Sequence, residues 1–152
     1  MNKAGKFPLF ALRVGIAWLF LYAGLSKIFN PEWTAKGYLL AATGPFADLF
    51  HLLAGNQIID ILNMWGLTLI GVALALGILL RFASFWGIVL MVLYYLSIYP
   101  PKNALIVDDH IIFILVFLTL SGAGSGRFLG FDGYLEEFFA KKGLSQIRFL
   151  LG

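Results

Sequence analysis

There is no cysteine in this 152-residue chain, and that absence removes several chemistries together. No disulfide relay, thiolate nucleophile, thiolate-held iron–sulfur cluster or cysteine-ligated zinc can be assembled from its side chains. Charge is scarce too: charged residues make up 12% of the chain, against roughly a quarter in a soluble domain. Histidine occurs twice, as His51 and His110. Two is the bare minimum for a bis-histidine haem, and nothing in the sequence sets them in the opposed geometry it needs. Neither a haem nor another metal is expected, and nothing points to nucleic acid.

Apolar residues fill the space those absences leave. The chain is 61% hydrophobic, with a mean hydropathy of +0.89. Crossing a hydrocarbon core takes about 20 residues, and four runs approach or exceed that length: 7–29, 58–80, 83–99 and 104–121. The expectation is a single all-α body, an integral membrane four-helix bundle embedded in the lipid bilayer. The first run is longer than the roughly 7–15 apolar residues of a signal peptide and carries Arg13 inside it. It is therefore read as a span.

Basic residues sort unevenly between the two sides this topology defines. Lys3, Lys6, Arg13, Arg81, Arg127, Lys141, Lys142 and Arg148 fall together, opposite only Lys27, Lys36 and Lys102. The positive-inside rule then predicts cytoplasmic termini in a multi-pass protein of the cell (inner or plasma) membrane. Within the first span, Arg13 and Lys27 share a helical stripe about 21 Å long, and Arg13 is read as snorkelling to the interface.

Between the first two spans the chain is less apolar. Asn30-Pro31-Glu32-Trp33 reads as a helix start, and Thr43-Gly44-Pro45-Phe46 as a second. Residues 31–54 are predicted to form two short interfacial helices capping the bundle. His51 reads as an interfacial histidine. The short turn joining spans two and three is placed at Arg81-Phe82. Near the end of the chain, Asp132 is read as capping an amphipathic helix in which Glu137 and Lys141 are spaced to pair.

The densest polar feature follows the Pro100-Pro101 break, where Asp108-Asp109-His110 stands at the mouth of the run IIFILVFLTL. Carboxylates beside hydrocarbon cost a few kcal/mol unless paired or hydrated, so this cluster is a candidate functional site. Acids are also favoured at a helix N-terminus by the helix dipole alone, and that structural reading stands beside the functional one. Neighbouring helical positions point about 100° apart, so Asp108 and His110 would not share a face. His110 with Asp109 is the predicted pair, and Asp108 is read as a helix-start acid.

Motifs spread along the chain carry a resemblance. They include Arg13…Gly24-x-x-Lys27, Gly37-Tyr38-Leu39, Gly44-Pro45-Phe46 and Leu53-Ala54-Gly55-Asn56. They continue through Trp65-Gly66…Ile70-Gly71, Arg81-x-Ala83, Tyr94-Tyr95-Leu96, Pro100-Pro101, Asp108-Asp109-His110 and the glycine-rich exit ending at Asp132. In these the chain resembles the DoxX/DoxD-like membrane protein family, especially its DoxD-type members, the membrane subunit of thiosulfate:quinone oxidoreductase. It departs from relatives at Leu67, where they often carry a carboxylate.

The resemblance implies a membrane subunit of a quinone-linked redox complex, passing electrons to membrane quinone. A non-catalytic scaffold or assembly protein, or a small-molecule carrier, is the alternative. On the first reading His110 and Asp109 are the catalytic residues, supplying a donor and a proton route. Lys27, Lys102, Asp108, Tyr95 and Tyr99 line the substrate site, the lysines facing a dianionic sulfur donor and the tyrosines a flat ring. Quinone is then a substrate rather than a resident cofactor. A second protein subunit on the outer face is the implied partner, with self-association left open.

Overall fold

The computed structural model of the protein describes residues 3–101, 105–143 and 145–152. Among these residues the fold is all-helical. Helix α1 runs Lys3–Ile28, followed by the short α2 (Lys36–Leu40) and α3 (Ala47–Leu53). The long α4 (Gln57–Leu76) and α5 (Leu80–Ser97) come next, then α6 (Asp109–Gly122) and α7 (Asp132–Lys141). Two 3-10 turns, Ser125–Arg127 and Ser145–Leu150, complete the chain.

Helices α1, α4 and α5 are long and apolar enough to cross a membrane. Helix α6 has 14 residues, about 21 Å of helix, and so covers less than the full hydrocarbon thickness. The predicted fourth span opened at Ala104, which lies outside the described residues. The helix itself begins only at Asp109, because Asp108 adopts an extended backbone and caps it. All four helices contribute to one buried core through Ala17 and Phe20, Ile70 and Leu74, Leu80 and Met91, Phe117 and Leu120. Large apolar side chains such as Trp18, Leu19, Leu69, Phe85 and Leu118 stay exposed around it. An apolar exterior of this kind suits lipid as the surrounding solvent.

The closest helix packing is between α1 and α4. A Cβ on Gly71 would stand 2.7 Å from the Leu21 nitrogen, so this glycine lets the two backbones approach. Gly66, on the same helix, faces open space and has no such role.

The turn between α4 and α5 comes earlier than predicted. Gly77 is left-handed (φ 62°), and Ile78 N–H donates to Ala73 C=O while Gly77 N–H donates to Leu74 C=O. This Schellman pattern ends α4 at Leu76 and places Arg81 and Phe82 inside the first turn of α5. The two-helix cap is present, but Asn30–Trp33 is a hydrogen-bonded turn rather than a helix start, and α2 begins at Lys36. Leu39, Ala42 and Phe50 of the cap pack with Ile59 and Leu96. Asp60 accepts from Ala35 N–H at 2.8 Å, and Ser97 C=O accepts from Thr43 N–H at 2.9 Å. The cap is thereby fastened to α4 and α5.

At the other end, Arg13 does not snorkel. It is fully buried, and its guanidinium donates to the carbonyls of Ser125, Phe128 (3.1 Å) and Leu129 (2.7 Å). Three carbonyls converging on its two terminal nitrogens hold the cation inside the protein, while Nε is buried without a partner among the described residues. Asp132 is fully buried as well. It accepts from Leu79 N–H at 2.6 Å, Leu80 N–H at 3.0 Å and Gly152 N–H at 2.9 Å, and so caps α5 rather than α7. The predicted Glu137–Lys141 pair gives way to Glu136, which binds Arg127 at 2.8 Å and also Arg148. Those two arginines, the Arg127 hydrogen bond foremost, hold the Glu136 carboxyl below its ordinary value.

Candidate functional site

The site is built where α5 ends and α6 begins, under the edge of the cap. Asp108 comes first, because its backbone dictates the rest. With φ −116° and ψ −173° it lies outside the helix, and its Oδ1 accepts from the N–H groups of His110 (3.1 Å) and Ile111 (3.2 Å). That is ordinary N-capping. The second carboxylate oxygen is left to face the His110 ring, 2.7 Å from Nδ1.

The prediction of a His110–Asp109 pair is corrected here. The 100° rule applies between two helical residues, and Asp108 is not one. Its side chain curls back over the first turn while Asp109 points outward and is exposed. Reading Asp108 as a helix-start acid holds, and the same side chain also pairs with the imidazole.

The electrostatics follow from the contacts. Burial alone would raise the Asp108 carboxyl. The hydrogen bonds from the His110 ring and from the Ile111 and His110 N–H groups outweigh it, leaving the group below its ordinary value. An ionised carboxylate only accepts, so Nδ1 of His110 carries the hydrogen in this pair. Nε2 has no hydrogen-bond partner among the described residues. The arrangement orients the ring and leaves one nitrogen free for proton exchange.

Tyrosines wall this histidine. The Tyr94 ring meets it edge-on, with centroids 5.8 Å apart, and Tyr38 from α2 meets Tyr94 at the same distance. Asn63 of α4 donates to the Tyr94 hydroxyl at 2.5 Å, and the Tyr38 hydroxyl is 2.7 Å from Ser97 Oγ. The Asn63 carbonyl oxygen is buried without a partner among the described residues. The tyrosines expected in the site are Tyr95 and Tyr99, and the sequence assigns no site role to Tyr38, Asn63 or Ser97. The motifs Gly37-Tyr38-Leu39 and Tyr94-Tyr95-Leu96 contained the signal, but a pairing across 56 residues is not visible in a linear pattern.

Other expected site residues are placed differently. Tyr95 and Tyr99 pack on each other at 5.9 Å, and the Tyr95 hydroxyl donates to Ile106 C=O, fastening the loop before α6. The Lys27 ammonium donates to Ala23 C=O at 2.8 Å and lies 5.4 Å from the Trp33 ring, with no ion pair to Asp108 or Asp109. Lys102 lies outside the described residues. His51 Nε2 is 3.3 Å from Ala42 C=O, within the cap. Two clefts, of about 450 and 300 Å³, open at the opposite end of the bundle, and neither includes His110 or its neighbours.

Apolar helices of spanning length, an apolar exterior and a cap fastened over one end define a multi-pass helical membrane protein. The chain belongs to the DoxX family, whose profile matches residues 8–100. That match covers the cap, Lys27, Tyr38, Asn63, Tyr94, Tyr95 and Tyr99, and stops before Asp108 and His110. No curated protein and no solved structure matches the chain.

Proposed function

We propose that this protein is the membrane subunit of a quinone-linked redox complex of the thiosulfate:quinone oxidoreductase type. On this reading the cap end faces outward, and the quinone head group is reduced beside His110. The observation that carries it is the Asp108–His110 pair, with its free Nε2, set against Tyr94 at the end of a lipid-embedded bundle.

Reducing a quinone to its quinol takes two electrons and two protons at a flat, apolar ring. The imidazole supplies a proton donor at the carbonyl oxygen, and Asp108 stabilises the charged ring and fixes its orientation. Tyr94 and Tyr38 offer aromatic edges to the ring. Asp109, exposed one residue away, exchanges protons with water. With no thiol of its own, the chain takes its electrons from a second subunit docked on the outer face. Lys27, and Lys102 by its place in the sequence, add positive charge at that end for a dianionic sulfur donor.

The test is quinone reduction by the intact complex carrying His110→Ala. Loss of a general acid typically lowers a rate by about 10²–10⁴-fold, and a loss of that size is expected with the complex still assembled. Full activity in the variant would remove His110 from the chemistry. Loss of partner binding with the protein folded would instead support a scaffold.

A further inference from the structure

The cleft of about 300 Å³ at the opposite end lies between the first turns of α1 and the loop that follows α6. Lys6, Leu9 and Phe10 form one wall, and Ser125, Arg127 and Phe128 the other. None of its lining residues is acidic. Lys6 has its ammonium 5.9 Å from the Phe128 ring and makes no ion pair among the described residues. Arg127 gives its Nε to Glu136, and its two terminal nitrogens have no acceptor among those residues. Ser125 is only 4% exposed, and its hydroxyl is a buried polar group without a partner there.

A buried hydroxyl without a partner costs free energy unless a ligand or water satisfies it. Here Ser125 lines a cleft bearing two cations and the apolar side chains of Leu9, Phe10, Ala123 and Phe128. The cleft also sits at a defined depth: Lys6 stands where the apolar run of α1 begins, and Arg127 follows the end of α6 at Gly122. Lipid head groups occupy that level.

We infer that the cleft is a binding site for one anionic phospholipid, with the phosphate held by Lys6 and Arg127 against Ser125. The acyl chains start along Leu9, Phe10 and Phe128. A volume of this size suits a head group and glycerol rather than a whole lipid. The apolar wall distinguishes a lipid from free phosphate, which would leave that wall wet.

Native mass spectrometry of the full chain tests this, offering phosphatidylglycerol and phosphatidylcholine with identical acyl chains. Phosphatidylglycerol should be retained preferentially. Lys6→Gln and Arg127→Gln should each weaken retention about fivefold, the worth of one basic residue at an anionic surface. Lys142→Gln, at the same end but outside the cleft, should leave it unchanged. Lys6→Gln breaks no ion pair, so it decides the matter if Arg127→Gln fails to fold. Equal retention of the two lipids, or an equal effect of Lys142→Gln, would overturn the site. Inorganic phosphate displacing the lipid at millimolar concentration would overturn the lipid as its occupant.

Discussion

Asp108 does two jobs with two oxygens, and substitutions can separate them. Oδ1 caps α6 and Oδ2 pairs with His110. Asn caps about as well as Asp, so Asp108→Asn should keep the stability of the helix start while removing the charge beside the imidazole. Asp108→Ala loses both and should cost about 1 kcal/mol. The pH dependence has a definite sign. A carboxyl whose folded value lies below its unfolded one contributes stability above the unfolded value, and loses it as pH falls through the folded value. Melting curves of the native protein should therefore weaken on the acid side, and Asp108→Asn should flatten that limb. An Asp108→Asn protein with the native acid limb would assign the dependence to another group. The capping role is legible as that of a helix-start acid, but the pairing with His110 is not, because a helical wheel treats residue 108 as part of the helix it begins.

The tightest joints between elements are made by charged side chains on backbone groups. Leu79, in a left-handed conformation (φ 50°), cannot cap α5 with its own side chain. Asp132 reaches across 53 residues to do so and ties in Gly152 as well. Asp132→Ala strands three N–H groups in a buried site and should destabilise the fold by roughly 3 kcal/mol, since charge-assisted hydrogen bonds are the strong ones. Thermal melting in detergent would show it; an unchanged midpoint would mean that water replaces the carboxylate. Arg13 performs the complementary task on three carbonyls of the loop after α6. The sequence marked both residues as noteworthy, but the expected uses, a local cap and a snorkelling cation, were the nearest ones along the chain. Tertiary partners, most of them more than 50 residues away, overrode them. The helices were legible because hydrophobic length is a local property. Their ends were less so, because Gly77 and Asp108 set them through backbone conformation.

Across the whole molecule, polarity is divided between the two ends of an apolar bundle. One end carries a covered histidine, a carboxylate and tyrosines; the other carries the Arg127–Glu136–Arg148 network and the Lys6 cleft. Basic residues crowd the second end, and the positive-inside rule motivates placing it in the cytoplasm. The family was legible from motif order, and its profile covers 8–100. His110, the residue proposed to act on quinone, lies beyond that stretch, so the family profile does not bear on its role. A photoreactive quinone supplied to native membranes measures the central claim directly. Peptide mapping should place the label on the segments holding Tyr94 or His110, competed by unlabelled quinone and diminished in His110→Ala. Label spread over the lipid-facing side of α1, insensitive both to competition and to His110→Ala, would contradict a quinone site at this end.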